Sequence, residues 1–113
     1  MAIIKSTTVT AHNNQGGKGD MYIEKLLTPK ELEDKCGMYA CVTIPVGSSL
    51  GVHYHHGNGE SYHILKGTAR YNDNGTDITL HPGDTAFCYD GEKHGIENIG
   101  DEDLVFMALI VNK

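Results

Sequence analysis

Turn-forming residues recur at short intervals from Met38 to the C-terminus, and they divide this part of the chain into short segments rich in β-branched and aromatic residues. The chain has 14 glycines, and Asp73-Asn74-Gly75 is its clearest hairpin signal, because Asn and Gly tolerate positive φ. The pattern predicts at least eight strands, at 38–44, 52–56, 61–65, 68–72, 76–80, 85–89, 94–98 and 104–111. Short strands divided by regular turns favour an all-β sandwich or barrel.

The N-terminal segment differs from the rest of the chain. Residues 1–20 begin with β-prone positions and continue into a polar, glycine-rich stretch, which is typical of a loop or a flexible arm. The remainder shows neither an internal repeat nor a linker. We therefore predict an N-terminal arm or strand at 1–20 and a single barrel domain at 21–113.

One short helix is expected between the arm and the first barrel strands. Thr28 is suited to cap it, Pro29 suits the first helical position, and Glu31 is three residues after the cap and can reach back to it. Gly37 is suited to end the turn. The prediction is a helix near residues 29–36.

The charge of the chain limits its partners. The formal net charge is −6, lysine and arginine total nine, and Arg70 is the only arginine. Binding to nucleic acid requires clustered cations that displace phosphate counterions, and the sequence has no basic stripe. We expect no nucleic acid and no anionic membrane as partners, and a small molecule as the ligand.

Three cysteines, Cys36, Cys41 and Cys88, cannot all pair within one chain, and none forms a CxxC motif. Free thiols are typical of a reducing compartment. The N-terminus lacks the continuous apolar core of a signal peptide, and no apolar run approaches the length that spans a bilayer. We expect a cytoplasmic protein.

Four residues have the chemistry and spacing of a metal site. His53 and His55 are two positions apart, so on a strand both imidazoles point to one face. Glu60 follows the next glycine turn and can return a carboxylate to that pair, and His94 follows another glycine turn. Three imidazoles and one carboxylate suit one divalent ion, with Mn or Fe expected first and Zn, Ni or Co as alternatives. An isolated His-x-His pair would be weak support, since His12, His63 and His81 are expected in turns or on the solvent face.

Two motifs around these residues resemble those of the cupin family. Gly47-(x5)-His53-x-His55-(x4)-Glu60-(x6)-Gly67 is similar to the first cupin motif at every position. Gly83-(x5)-Tyr89-x-Gly91-(x2)-His94-(x3)-Asn98 resembles the second, with Tyr89 where the family usually has proline. The resemblance implies a jelly-roll barrel, a double-stranded β-helix, with the metal near one mouth. It also implies that His53, His55, Glu60 and His94 are the four ligands.

Strand parity extends the list of pocket residues. Tyr62 shares a face with Glu60, and we expect it either to act as a catalytic acid, base or hydrogen-bond donor or simply to fill the barrel. Asn98 is expected to hold a backbone turn, and His56 to face away from the pocket. Arg70 is expected to point outward, which would leave the pocket without the guanidinium that often holds a small dicarboxylate.

The resemblance implies a metal-dependent enzyme that acts on a small carboxylate or an enolisable, oxygen-containing substrate, as a dioxygenase, a decarboxylase or a lyase. The alternative is a metal-dependent protein that binds or senses a small molecule without turnover, and a third reading is a purely structural barrel. The final strand is apolar on both faces, so we also expect a homodimer in which a second chain covers its outer face.

Overall fold

Ten β-strands make up the fold in a computed structural model of the chain, which describes residues 2–113. The strands are β1 Thr7–His12, β2 Asp20–Lys25, β3 Cys36–Ile44, β4 Ser49–Tyr54, β5 Asn58–Lys66, β6 Ala69–Asp73, β7 Thr76–Leu80, β8 Thr85–Cys88, β9 Lys93–Asn98 and β10 Leu104–Asn112. A single 3₁₀ turn at Asn14–Gly16 and the helix α1 at Pro29–Leu32 complete the secondary structure of this part of the chain.

The strands form two antiparallel sheets that enclose one core. The larger sheet has six strands in the order β1-β2-β3-β10-β5-β8, and the smaller has four in the order β4-β9-β6-β7. Strands next to each other in the chain alternate between the sheets at several points, which is the arrangement of a jelly roll. The predicted all-β barrel is confirmed.

Alternation along the central strands places apolar side chains in the interior. On β10, Leu104, Phe106 and Ala108 are fully buried, while the residues between them lie on the outer face and are partly exposed. β10 pairs with both β3 and β5, whose inward residues include Val42 and Ile64. The hydrophobic core therefore lies against the inner face of β10, the final strand, whose sequence is apolar on both faces.

The helix is shorter than predicted, because it ends at Leu32 and not near residue 36. Its start is as expected, since Glu31 accepts hydrogen bonds from the backbone N–H and the hydroxyl of Thr28, both at 2.8 Å. Glu33 and Asp34 adopt positive φ and end the helix, whereas Gly37 lies inside β3. No helix within residues 2–113 is long and apolar enough to cross a bilayer.

Strand β4 starts earlier and ends earlier than the sequence pattern predicts. It covers Ser49–Tyr54, and its pairing with β9 shifts register between Leu50 and His53, where two residues of β4 oppose Gly95. A Cβ atom at Gly95 would lie 3.0 Å from the backbone nitrogen of Val52, so glycine is needed opposite this bulge. The bulge turns both Leu50 and His53 towards the interior.

The glycine-rich stretch after β1 forms a tight loop that packs on β4. A Cβ at Gly17 would overlap the carbonyl oxygen of Ser49, and one at Gly51 would overlap the carbonyl oxygen of Gln15. Two backbones can approach this closely only where side chains are missing. Two hydrogen bonds between Lys18 and Ser49, at 2.8 and 3.0 Å, hold the contact.

Candidate metal centre

His53 and His94 face each other across the pairing of β4 with β9, where they occupy directly opposed positions. His94 is 1% exposed, and the side chain of His53 is 12% exposed. Their ring centroids are 4.7 Å apart. Sheet register alone therefore brings together two residues that are far apart in the sequence.

His55 lies one residue beyond the end of β4, so the strand itself does not orient it. Instead, its backbone N–H donates to the carbonyl of Glu92 at 2.9 Å, and its carbonyl accepts from the N–H of Gly91 at 2.7 Å. These bonds fix His55 to the turn that precedes His94. The turn at Gly91 and Glu92 therefore positions the imidazoles of His55 and His94 next to each other.

Glu60 supplies the carboxylate from β5 in the other sheet. Its Oε1 atom lies 3.0 Å from Nε2 of His55, 3.1 Å from Nε2 of His94 and 3.9 Å from Nε2 of His53. Glu60 is 4% exposed, and its carboxylate lies in the barrel interior. One ligand atom from each of the four predicted residues lies within 4.8 Å of the others, and the group could hold a metal ion.

The outer nitrogen of each imidazole has a partner that fixes which nitrogen faces the centre. Nδ1 of His53 lies 2.8 Å from the carbonyl oxygen of Gly51, and Nδ1 of His55 lies 2.7 Å from the side-chain oxygen of Asn58. Because both partners are acceptors, each Nδ1 donates a hydrogen bond outward, and each Nε2 faces the centre. Nδ1 of His94 lies 2.8 Å from the Tyr71 hydroxyl, which can accept from it in the same way.

The arrangement fits a divalent transition metal. Imidazole nitrogen and carboxylate oxygen bind such ions at about 2.0–2.2 Å, so two ligands at adjacent positions on one ion are roughly 3 Å apart. The separations of 3.0 and 3.1 Å around Glu60 match this value. Metal-binding histidines also usually make a hydrogen bond through the ring nitrogen that faces away from the metal, as these three do.

Electrostatics keeps the carboxylate ionised. Burial alone would raise the pKa of Glu60, but the neighbouring His53, His94 and His55 outweigh it and lower the pKa to about 2. Burial dominates at His94 and lowers its pKa below the ordinary histidine value. At His53, burial acts in the same direction, yet contacts with Glu60 and the Gly51 carbonyl raise the net pKa. An ionised carboxylate and a neutral imidazole are the forms that bind metals.

The family model of the cupin domain matches residues 40–111 of this chain, which includes all four residues of the centre. The chain belongs to the cupin family. The resemblance of its two motifs to those of cupins is thereby confirmed, and the substitution of Tyr89 for proline leaves the four-residue group intact.

Among relatives of this cupin, a protein of Thermotoga maritima named "Oxalate-binding protein" is 38% identical over 112 residues, covering 96% of this chain and 93% of the relative. A crystal structure from the same organism, described as a "predicted oxalate decarboxylase", is 37% identical, covers 100% of both chains and has a TM-score of 0.94. The cupin domain of Cnp3 from Schizosaccharomyces pombe is 16% identical, with a TM-score of 0.75 and coverage of 97% and 89%. That last likeness concerns the fold alone.

A cavity of about 190 Å³ opens beside the centre, and Tyr62 lines it. Tyr62 is fully buried and stacks on the His94 ring, with ring centroids 4.7 Å apart. Its ring centroid also lies 4.5 Å from that of Phe106. Burial, followed by the nearby Glu60 carboxylate, raises the pKa of Tyr62 well above its ordinary value. The phenol is therefore neutral, and it can donate a hydrogen bond.

Other residues singled out from the sequence lie outside the four-residue group. Asn98 is buried and donates to the carbonyls of Ile44 and Glu102, so it holds a turn as expected. Arg70 is exposed and pairs with Glu97 at 2.9 Å on the outside of the smaller sheet. The remaining histidines are exposed or half-buried and away from the centre: His12, His56, His63 and His81.

Three residues of the site were not assigned a role from the sequence: Tyr71, Asn58 and Asn14. The parity that points Arg70 outward also points its neighbour Tyr71 inward, but only the order of the strands shows that Tyr71 meets His94. Asn58 had a local signal, because it lies between two glycines, Gly57 and Gly59, in the short segment from His55 to Glu60. Asn14 had none, since the sequence does not indicate where its loop packs.

Replacing Tyr71 with phenylalanine tests the role of the outer contacts. Tyr71→Phe removes only the hydroxyl next to His94, and we expect the affinity for Mn²⁺ to fall about 10- to 100-fold, as for other residues that orient metal-binding histidines. Metal titration against a competing chelator measures it. Tyr22→Phe, which removes a hydroxyl from a tyrosine that is 39% exposed, is the matched control and should bind like the wild type. Equal affinity of the Tyr71→Phe and Tyr22→Phe variants would contradict the assignment.

Proposed function

We propose that this cupin binds one divalent metal ion through His53, His55, Glu60 and His94, and that the ion holds a small carboxylate in the adjoining cavity. The observation that carries the proposal is the charge of the cavity wall. Among the described residues that line it there is no lysine or arginine, so an anion needs the ion for its attraction. A divalent ion beside the single Glu60 carboxylate leaves a net charge of about +1. The relative named for oxalate binding supports this ligand class.

Manganese or iron is the ion that we propose first. Four protein ligands would complete the tetrahedral shell that zinc usually adopts in structural sites. An ion that takes six ligands would instead keep two positions for a carboxylate and a neighbouring oxygen. Mixed imidazole and carboxylate ligation is typical of iron and manganese sites with open positions. Zinc, nickel and cobalt are the alternatives.

The proposed activity is an enzymatic one of the dioxygenase, decarboxylase or lyase type. When bound, the ion would polarise a ligand oxygen and, if redox-active, would supply one-electron chemistry. We assign Tyr62 the direct contact with the ligand, because among the described residues it is the one tyrosine that lines the cavity. Its raised pKa favours a neutral hydroxyl, so its role is that of a hydrogen-bond donor or a proton donor and not of a base.

The alternative function is metal-dependent binding or sensing of a small carboxylate without turnover. One feature of the cavity favours it. Apart from the four-residue centre, no Asp, Glu, Lys, Arg or His lines the cavity within residues 2–113, so Tyr62 would have to supply any proton by itself. Its raised pKa makes it a weak acid. Binding and turnover therefore have to be measured separately.

Calorimetric titration of Mn²⁺-loaded and chelator-treated protein with oxalate and pyruvate tests the proposed function. We expect binding only to the loaded protein. Oxygen uptake and carbon dioxide release then test turnover, with Tyr62→Phe expected to keep binding within a few-fold but to lose at least 100-fold in rate. Tyr22→Phe is the control. Carboxylate binding that is equal with and without the metal contradicts the proposal, and an unchanged rate in Tyr62→Phe contradicts the assigned role of that residue.

We also propose that the protein is a homodimer that pairs through the outer face of the larger sheet. Apolar side chains lie exposed there, with Leu65 at 48%, Phe87 at 40% and the neighbouring Tyr89 at 65% exposure. The rings of Phe87 and Tyr89 are 4.8 Å apart, so they form one patch. A second copy, related by a twofold axis, would present the same patch to it.

Light scattering during size-exclusion chromatography tests the dimer. We expect the wild type to have twice the mass of one chain and the Phe87→Asp variant to shift to the monomer, because a buried charge without a partner opposes association. Ile78→Asp changes a side chain of similar exposure, 42%, on the smaller sheet and serves as the control. A monomeric wild type would contradict the proposal.

A cytoplasmic location is proposed from the thiols. Cys36, Cys41 and Cys88 are all free in the structure. Disulfides form and persist in oxidising compartments, so three unpaired cysteines favour a reducing one.

A further inference from the structure

The wall of the cavity is apolar away from the four-residue centre. Met21, Val42, Leu50 and Phe106 are buried side chains that line it, and Met38 and other partly buried residues continue the same surface. This wall is continuous with the hydrophobic core, so it cannot rearrange to solvate a charge. An ionised group of the ligand that the ion does not hold would therefore lie against hydrocarbon.

Charge balance leads to the same conclusion. A divalent ion and the Glu60 carboxylate together carry about +1, and one ligand carboxylate neutralises them. A ligand with a second carboxylate too far from the ion to be held by it, unlike the adjacent carboxylates of oxalate, would leave an uncompensated negative charge in the cavity, since its described lining holds no cation. Burying a charge without a partner is strongly unfavourable.

The glycine-rich loop after β1 places an uncharged polar group at the cavity. Asn14 lines it, and its side-chain amide reaches Met21, with Nδ2 3.7 Å from the sulfur. A thioether is a weak acceptor, so this amide has donor capacity left for a ligand. Gln15 lies at the exposed rim of the same cavity.

The loop is held in a rare backbone conformation. Asn13 and Gln15, on either side of Asn14, adopt left-handed φ values of 48° and 54°. Non-glycine residues adopt this region rarely, and such conformations are often found at functional sites. The close packing of Gly17 on β4 and the Lys18–Ser49 hydrogen bonds maintain the conformation. Together they keep Asn14 at the cavity.

We infer that the ligand is a 2-oxo or 2-hydroxy monocarboxylate with a short apolar chain, and that Asn14 is a specificity-determining residue that donates a hydrogen bond to it. This inference rests on the proposed function, because the metal anchors the acid group. The volume of about 190 Å³ is below the 300–1,000 Å³ usual for ligand pockets, which limits the chain to a few carbons. The apolar wall contacts the chain, and the amide contacts an oxygen that the metal does not hold.

Two matched ligand comparisons on the Mn²⁺-loaded wild type test the ligand class. In the first, calorimetry compares pyruvate with 2-oxobutyrate, and we expect about fourfold tighter binding for the added methylene. In the second, 2-hydroxybutyrate is compared with malate, in which a carboxylate replaces the terminal methyl group. We expect 2-hydroxybutyrate to bind at least tenfold more tightly. Equal or tighter binding of malate would overturn the inference.

Met38→Lys tests the charge argument from the opposite side. The two side chains have similar length, and the new ammonium group would face the cavity, so we expect the preference to shift at least tenfold towards malate. Thr43→Lys adds the same charge on the outer face of the same strand and should leave the preference unchanged. An identical shift in both variants would mean that net charge, and not the cavity, decides the preference, which would overturn the inference.

Asn14→Leu tests the assigned residue. We expect a three- to tenfold loss of affinity for 2-hydroxybutyrate, the range for one neutral hydrogen bond, with unchanged Mn²⁺ affinity. Lys18→Ala, in the same loop but outside the cavity lining, is the control. Unchanged affinity in Asn14→Leu would remove Asn14 from the site.

The two levels of proposal fail differently. If neither monocarboxylates nor dicarboxylates bind, or if they bind without the metal, the proposed function is wrong. If both bind only to the metal-loaded protein but malate binds at least as tightly as 2-hydroxybutyrate, the proposed function stands and this inference is wrong.

Discussion

A buried carboxylate among three imidazoles is the constraint on which the rest of this structure depends. Glu60 is 4% exposed, and its pKa is lowered to about 2, so its negative charge is present in the barrel interior at neutral pH. Such a charge persists only with a partner. His53, whose pKa is raised despite its burial, is one such partner. A divalent ion would supply the positive charge and satisfy all four groups at once.

The fold supports this centre through specific features of the backbone. The bulge in β4 opposite Gly95 turns His53 inward, and the turn at Gly91 holds His55 beyond the end of its strand. Hydrogen bonds between the outer ring nitrogens and Gly51, Asn58 and Tyr71 then fix the orientation of the three imidazoles. Because backbone atoms supply several of these contacts, the geometry depends on strand register as much as on side-chain identity.

Much of this could be predicted from the sequence, and the reasons for the failures are physical. Alternation and turn residues indicated the all-β class, and motif spacing indicated the four residues that the structure brings together. The helix was predicted too long, because capping signals define its start more reliably than its end, where Glu33 and Asp34 turn left-handed. The position of Asn14 could not be predicted, since it depends on two glycines, Gly17 and Gly51, that let one backbone pack on another. Long-range packing of this kind has no local signal in the sequence.

The central claim is that the four residues form one metal site, and metal stoichiometry tests it most directly. Protein loaded with Mn²⁺ and then dialysed is analysed for metal content, in parallel with a His55→Ala variant and a His63→Ala control outside the centre. The account predicts one ion per chain in the wild type and in the His63→Ala control, and far less than one ion per chain in His55→Ala. A wild type that retains no divalent ion, or a His55→Ala variant that retains as much as the wild type, would contradict it.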